Sequence, residues 1–259
     1  MSANATPAVA LQQGMTLTWR SLMKIRHSPD QLLDVTLMPV TFVLLFVFLF
    51  GEAVSGNWHT YLQFVLPGVA VQSLIFGSMN TALGFHNDLR TGVFDRFRSL
   101  PVARSAPMVG RVLGDAVRNL LSLILVFAIG AALGFHPHGS PLRWLAGCTL
   151  ILLFAFAVCW IAVLIGMLAR TPESIQGLSL LLIFPFAFGS NVFVPTGKLP
   201  GWLQAWVKIN PVSRVADAGR GLILGTPPPG HAVVVTLLWS AGIVLVFGPA
   251  AVWAYQRRS

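Results

Sequence analysis

The feature that most constrains this chain is a series of six long apolar stretches separated by polar connections. Each stretch is 18 to 26 residues long, and four of them contain no charged residue. A helix of about 20 apolar residues is long enough to cross the hydrocarbon core of a bilayer. One such helix could be buried in a soluble core, but six leave too little polar chain to cover them. The stretches are Leu32–Gly51, Tyr61–Gly84, Val109–Gly134, Trp144–Ala169, Gly177–Val194 and Ala232–Tyr255.

Composition agrees with this interpretation. Only 10% of the 259 residues are charged, against about 25% in soluble domains. We therefore predict an all-α polytopic membrane protein whose six transmembrane helices occupy residues 32–255. Residues 1–31 and 256–259 would then be tails outside the bilayer.

The net charge of +9 would also suit a nucleic-acid-binding protein, but the basic residues alternate with apolar stretches instead of forming one soluble face. With the N-terminus inside, 12 of the 17 Lys and Arg residues fall on the cytoplasmic side. Because basic residues concentrate in cytoplasmic loops, we predict a multi-pass protein of the plasma (inner) membrane with both termini cytoplasmic. No nucleic-acid partner is expected.

A surface helix is predicted ahead of the first stretch. Apolar residues recur at helical spacing from Met15 to Met23, while Arg20, Lys24 and His27 line another face. This pattern is typical of an amphipathic helix that lies in the membrane interface, in contact with lipid.

The connection at residues 86–108 is longer than a helical bundle needs. Leu89, Val93 and Phe97 form an apolar stripe at helical spacing, and Pro101 ends the pattern. Asp88, Asp95, Arg96 and Arg98 are among the charged residues on the other faces. Because the acidic residues would weaken binding to anionic lipid headgroups, we interpret this segment as a docking helix for a cytoplasmic partner. A helix that rests on lipid is the alternative.

The outer connection, residues 195–225, contains segments too short to cross a bilayer. Residues 194–201 interrupt the fifth stretch, a short amphipathic helix follows at residues 202–209, and a second helix is predicted over Val212–Leu224. We predict a re-entrant segment that dips into the outer leaflet. Its broken backbone must then be buried in protein or line a wet cavity.

Three sets of small or polar residues recur at helical spacing in the predicted membrane region. The first set suits either close helix packing or a substrate path. The second suits either an internal charge ladder or a contact with a partner or a neighbouring helix, and the third repeats its plus–minus–plus order. The sets are Ser73, Gly77, Asn80 and Gly84; Arg111, Asp115 and Arg118; and Arg214, Asp217 and Arg220.

Enzymatic motifs are missing from the sequence. Gly197-Lys198 lacks the upstream glycine spacing of a phosphate-binding loop. His136 and His138 form a pair without further ligands, which is too few for a metal site. We predict no catalytic residues, no metal site and no cofactor bound by this chain.

Two regions carry a resemblance to a known family. Residues 188–225 resemble the C-terminal signature of type 2 ABC-exporter permeases, particularly the daunorubicin/doxorubicin-resistance branch. The matching elements there are Phe193-Val194-Pro195, Leu199-Pro200-Gly201-Trp202-Leu203, Asn210-Pro211, and Arg220 ahead of Leu222 and Gly225, with Asp217 between them. In the inner connection they are Asp88, Gly92, Asp95, Arg96, Ser99 and Pro101-Val102. Members often have Glu where Asp88 or Asp95 stands here.

The resemblance implies a prokaryotic permease with six spans that pairs with a second permease, identical or homologous, and with two separate ATPase subunits. ATP and Mg would be bound by those subunits, and residues 86–100 would couple them to the spans. The family exports amphipathic drugs, lipids, lipo-oligosaccharides or polysaccharides.

We therefore expect a permease subunit of an ATP-driven exporter, with a substrate path along the first, second and fifth spans. Phe184, Phe186, Phe188 and Phe193 of the fifth span would suit a hydrophobic cargo. One alternative is a proton-coupled secondary transporter, for which Asp115 is the only acid well inside a predicted span. The other is a membrane scaffold that transports nothing.

Overall fold

The computed structural model describes residues 29–91, 106–226 and 231–257. These residues form eight α-helices and one short 3₁₀ helix at Thr196–Lys198, with no β-strand among them, which confirms the predicted all-α class. The helices are α1 (Pro29–Ser55), α2 (Trp58–Arg90), α3 (Ala106–Ala132), α4 (Pro141–Leu168), α5 (Pro172–Phe188), α6 (Gly201–Ile209), α7 (Pro211–Leu224) and α8 (Ala232–Arg257).

Four of these helices are long and apolar enough to cross a membrane: α2, α4, most of α8, and α3 from Gly114 to Ala132. The apolar parts of the other two long helices are shorter, at Pro39–Ser55 in α1 and Pro172–Phe188 in α5. The described chain therefore contains four candidate spans. The number six remains a prediction.

The sequence predicts a fifth helix over Gly177–Val194. The predicted C-terminal end of this helix is wrong. Helix α5 ends at Phe188, and Gly189 to Val194 follow an irregular path. The apolar run contains Gly189, Ser190 and Asn191, three residues that lower helix stability. We call residues 189–195 the α5 break.

The docking helix predicted from His86 does not begin there as a separate element. Asp88 and Leu89 lie in the last turn of α2, which continues to Arg90. The rest of that prediction, from Gly92 to Pro101, lies outside the described residues, as does the predicted interfacial helix near the N-terminus.

Helix α2 lies at the centre of the bundle and contacts α1, α3, α4, α5 and α7, while α4 also packs against α8. Close packing between α2 and α4 depends on Gly166, because a Cβ atom there would overlap the carbonyl of Ala82. The main core lies around α2 and includes the fully buried side chains of Leu62, Leu66 and Ile151.

The bundle has two chemically distinct ends. At one end α7, with α6 packed against it, lies beside the first half of α2, and the Tyr61 hydroxyl donates to the Phe193 carbonyl at 2.9 Å. At the other end α2 and α4 meet again, with His86 Nδ1 at 3.3 Å from the Gly166 carbonyl oxygen. We call the first the short-helix end and the second the loop end, since residues 92–105 join α2 to α3 there.

Candidate functional site

A cavity of about 540 Å³ lies between α1, α2, α3 and α5. That volume falls in the range of pockets that hold drug-sized ligands. Pro39 of α1, Leu83 of α2 and Leu180 of α5 mark its extent along the helices. These residues lie in the first half of α1, the second half of α2 and the first half of α5, so the cavity occupies the half of the bundle nearer the loop end.

The cavity wall combines hydrogen-bonding and apolar side chains. A ligand with one polar and one apolar part could contact both kinds of surface at once. The polar side chains are Ser73, Asn80, Arg118, Asn119, Ser122, Glu173 and Gln176. The apolar ones are Pro39, Phe42, Phe76, Met79, Leu83 and Leu180.

Arg118 is held at the cavity wall by contacts to two helices. Its guanidinium donates to the Gly77 carbonyl and, at 3.2 Å, to the Thr81 hydroxyl, both on α2. It also forms an ion pair with Asp115 at 3.6 Å, one turn earlier on α3. Because Asp115 balances its charge, the cavity wall around Arg118 is polar without being strongly cationic.

A second polar group lies at the short-helix end and is centred on Arg220 of α7, which is almost fully buried. Its guanidinium donates to the carbonyls of Phe64, Asn191 and Val192, each at 2.8 Å. It also pairs with Asp217 at 3.3 Å and lies 3.9 Å from the centre of the Phe64 ring. We call this group the Arg220 cluster.

Side chains at the short-helix end pair with several carbonyls of the α5 break. Asn210 donates to the carbonyls of Phe186 and Gly189 at 2.8 and 2.9 Å, and Tyr61 donates to that of Phe193. With the two bonds from Arg220 to Asn191 and Val192, five carbonyls at the end of α5 and in the break are paired with these three side chains. An irregular backbone inside a membrane must be satisfied by protein in this way.

Local sequence explains how Asn210 reaches both helices. Its side chain accepts from the backbone N–H of Val212 at 2.9 Å, and Pro211 takes the first helical position of α7. The nitrogen of the same amide donates to the carbonyls of Phe186 and Gly189 at the end of α5. One residue thus caps the start of α7 and the end of α5.

Arg220 remains charged in this environment. The guanidinium of an arginine is not deprotonated in proteins, and the neighbouring Asp217 carboxylate stabilises its charge. A permanent positive charge surrounded by carbonyl oxygens makes the cluster a rigid electrostatic link between α2, the α5 break and α7.

Comparisons with known proteins decide the family. Residues 12–224 match the model of the ABC-2 type transporter family. The whole chain is 39% identical over 261 residues to the daunorubicin resistance ABC transporter permease protein DrrB1 of Streptomyces coeruleorubidus, covering 92% of that protein. It is 24% identical to the probable doxorubicin resistance ABC transporter permease protein DrrC of Mycobacterium tuberculosis (strain ATCC 25618 / H37Rv), over 97% of this chain and 92% of that protein. The chain belongs to the ABC-2 type transporter family.

Membership in this family makes the chain a permease, the membrane component of an ABC transporter, and not its ATPase. The similarity covers the short-helix end up to Leu224 as well as the helices around the cavity. A more distant relative, the putative transport permease ycf38 of Cyanophora paradoxa, is 24% identical over 85% of this chain and 77% of that protein.

The structure brings only some of the sequence-predicted residues of this ABC-2 permease together. Ser73, Gly77, Asn80 and Arg118 all border the cavity, although the sequence placed them in two separate sets. A Cβ atom at Gly77 would meet only ordinary contacts, so this face of α2 is not tightly packed there. The side chain of Arg111 lies outside those that the structure describes.

At the short-helix end, Asn210, Pro211, Asp217 and Arg220 meet around the α5 break. The other predicted residues lie elsewhere. Pro195 and Pro200 precede the 3₁₀ helix and α6. Trp202 is 75% exposed on α6.

Sequence reasoning missed several residues that complete the two sites. Asn119, Ser122 and Gln176 contribute polar groups to the cavity, and Asn191 donates to Asp217 at 2.7 Å in the Arg220 cluster. Each is a polar residue in or beside an apolar run, and that position is the signal from which it could have been found. The sequence pattern does not show which helices these polar side chains will contact.

Proposed function

We propose that this permease moves an amphipathic or hydrophobic cargo outward, such as a drug, an antibiotic or a lipid-like molecule. The cavity supports this proposal, because amide and hydroxyl groups line it together with Phe42 and Phe76 in a volume that suits a drug-sized molecule. Relatives named for daunorubicin and doxorubicin resistance agree with this cargo class. A cavity of this size is less suited to a polysaccharide chain, the alternative cargo.

The proposed arrangement has six spans, with α1 and α5 crossing the membrane beside the four longer helices. The loop end faces the cytoplasm and the short-helix end faces outward, with α6 and α7 as the re-entrant segment. The excess of Lys and Arg near the loop end supports this orientation. The cavity then lies in the inner half of the membrane, where an exporter would take up its cargo.

The energy comes from a partner in this proposal. Two copies of an ABC ATPase bind ATP and Mg and dock on residues 86–100, and a second permease, identical or homologous, completes the pore. Helices α2 and α3 flank the docking segment, and both contribute to the cavity wall. A movement at the loop end is therefore transmitted directly to the cargo site.

Reconstitution tests the function. Proteoliposomes that contain the permease and its ATPase should export daunorubicin when ATP is present, and the permease alone should neither export it nor hydrolyse ATP. Export should persist when an ionophore collapses the proton gradient. Export that stops with the ionophore while ATP is still present would favour the proton-coupled alternative.

The docking proposal has its own test. Phe97→Ala removes apolar contact area, and Asp95→Arg places a third like charge beside Arg96 and Arg98. Both should reduce co-purification of the ATPase while membrane insertion stays normal. Normal co-purification after both substitutions would instead support a helix that rests on lipid.

A further inference from the structure

Gln72 is a fully buried glutamine in the middle of α2. Neither its amide nitrogen nor its amide oxygen has a hydrogen-bond partner among the residues that the structure describes. Burying an amide without a partner destabilises a protein, and a leucine of similar size would not carry that cost. Among the residues that the structure describes, nothing therefore requires this position to be polar.

Gln63, a second glutamine on the same helix, is an amide with a structural role. Gln63 donates to the Gly134 carbonyl at 3.0 Å and accepts from the backbone N–H of His136 at 3.2 Å. Both polar atoms of Gln63 are used to join α2 to the end of α3. The two glutamines are nine residues apart, and only Gln63 has partners in the described chain.

The position of Gln72 along α2 links the two sites. Gly68, Gln72 and Phe76 follow one another at intervals of four residues, on the same side of the helix. Phe76 borders the cavity. At Gly68 a Cβ atom would lie 2.9 Å from a guanidinium nitrogen of Arg220. Gln72 thus lies next to Ser73, which borders the cavity, and one turn from the Arg220 cluster.

Aromatic rings in contact with one another lie between the cavity and the α5 break. Phe46 of α1 lies on Phe193 of the break, with ring centres 3.8 Å apart. Phe188 contacts both Phe193, at 5.8 Å, and Phe76, at 6.0 Å. These rings form a series of contacts from the cavity to the α5 break, and Gln72 lies one turn from Phe76 on the side of that break.

We propose that Gln72 is a binding residue for cargo in transit, and that its amide pairs with a carbonyl or hydroxyl group of an amphipathic molecule after that molecule leaves the cavity. This inference rests on the proposed function. The amide is unpaired in the conformation described here because its partner is the moving cargo. A polar contact along an otherwise aromatic route lowers the barrier for the polar part of that cargo.

The test compares Gln72→Leu with the wild type in proteoliposomes that contain the permease and its ATPase, with daunorubicin as the probe. ATP-driven export should fall roughly fivefold to tenfold, since one hydrogen bond to the cargo is lost. Daunorubicin binding without ATP should not change, and the unfolding temperature should be equal or higher. Gln72→Asn, which keeps an amide, should recover part of the export.

Gln63→Leu is the matched control. It removes a paired amide from the same helix, so it should lower the unfolding temperature. Wild-type export by Gln72→Leu would overturn the inference and leave the proposed function intact. A lower unfolding temperature for Gln72→Leu would also overturn it, because the amide would then have a structural partner. Absence of export by the wild type would contradict the proposed function itself, and this inference with it.

Discussion

The two ends of the bundle contain the same charge motif in different surroundings. Arg118 pairs with Asp115 at 3.6 Å near the loop end, and Arg220 pairs with Asp217 at 3.3 Å at the short-helix end. Arg220 donates to three further carbonyls and stacks on an aromatic ring, whereas Arg118 borders an open cavity. An arginine–aspartate pair three residues apart therefore does not define a function by itself. The backbone around it decides whether the pair fixes a fold or faces a ligand.

This difference suits the two ends to different tasks. The Arg220 cluster, together with Asn210 and Tyr61, holds an irregular backbone in one conformation, because these side chains donate to four carbonyls of the break. The cavity wall has fewer cross-links: Arg118 joins α3 to α2, and α5 buries few of its side chains. We expect the short-helix end to move as one body while the helices around the cavity change their separation.

The largest expected effect concerns which end faces the cytoplasm. A cysteine at exposed Gly197, where a Cβ atom meets no neighbour, should react with an impermeant maleimide added to intact cells. A cysteine at exposed Thr91, near the loop end, should react only after the cells are opened. Native Cys148 and Cys159 are buried and provide an unreactive background. Labelling of the Thr91 variant in intact cells would reverse the assignment of the two ends.

Conservative replacement of the two arginines should separate their roles. Arg220→Lys keeps the charge but cannot reproduce the planar fork, so the free energy of unfolding should fall by about 2–3 kcal/mol. Arg118 donates to fewer acceptors, so Arg118→Lys should lower the free energy of unfolding by about 1 kcal/mol or less. Thermal unfolding in detergent measures both. Equal losses would show that the cavity wall is as tightly fixed as the cluster.

Asn210→Ala should weaken the short-helix end by about 1–2 kcal/mol, because it removes one helix cap and two bonds to the end of α5. Asn57→Ala is the control. Its side chain caps only the start of α2, through the backbone N–H of His59, at an exposed site. Thermal unfolding should show a smaller loss of stability for Asn57→Ala than for Asn210→Ala. A larger loss for Asn57→Ala would mean that the α5 break is stable without Asn210.

The sequence predicted the helices well because their signal is local. Apolar runs of the right length gave the positions of six long helices, and Pro195, Pro200 and Pro211 gave the limits of the short elements. The end of α5 was missed because Phe193 and Val194 kept the run apolar after the helix had ended. Hydrogen bonds from Asn210 and Arg220, distant in sequence, stabilise that break.

The candidate sites were less predictable because they depend on which helices become neighbours. Spacing placed Ser73, Gly77 and Asn80 on one face, but only the fold shows that α1, α3 and α5 leave a cavity beside it. Gln72 is the clearest case. As one polar residue in an apolar run it has no pattern of its own, and its distinguishing property is that the folded chain provides it with no partner among the described residues.

The smallest expected effect concerns the charge at the cavity. Glu173 lies in the first turn of α5, and hydrogen bonds from its own backbone N–H and the Thr171 hydroxyl hold the pKa of its carboxyl below the usual range. The positive charge of Arg90 acts in the same direction. Glu173 therefore stays ionised when the pH falls, and among the side chains that border the cavity it is the acidic one. It should favour a cationic cargo over a neutral or zwitterionic one.

Glu173→Gln should weaken binding of the cation rhodamine 6G roughly twofold to fivefold, a range typical of an exposed ion pair. Binding of the zwitterion rhodamine B should change less. Fluorescence anisotropy on the permease in nanodiscs measures both, and Glu52→Gln, which removes the chain's other glutamate at the short-helix end, is the control. In the wild type the preference should persist from pH 8 to about pH 5, because a carboxyl with a lowered pKa takes up its proton only below that range. Equal losses for both dyes would show that Glu173 only stabilises the start of α5, and the cavity would then differ from the Arg220 cluster in shape but not in charge.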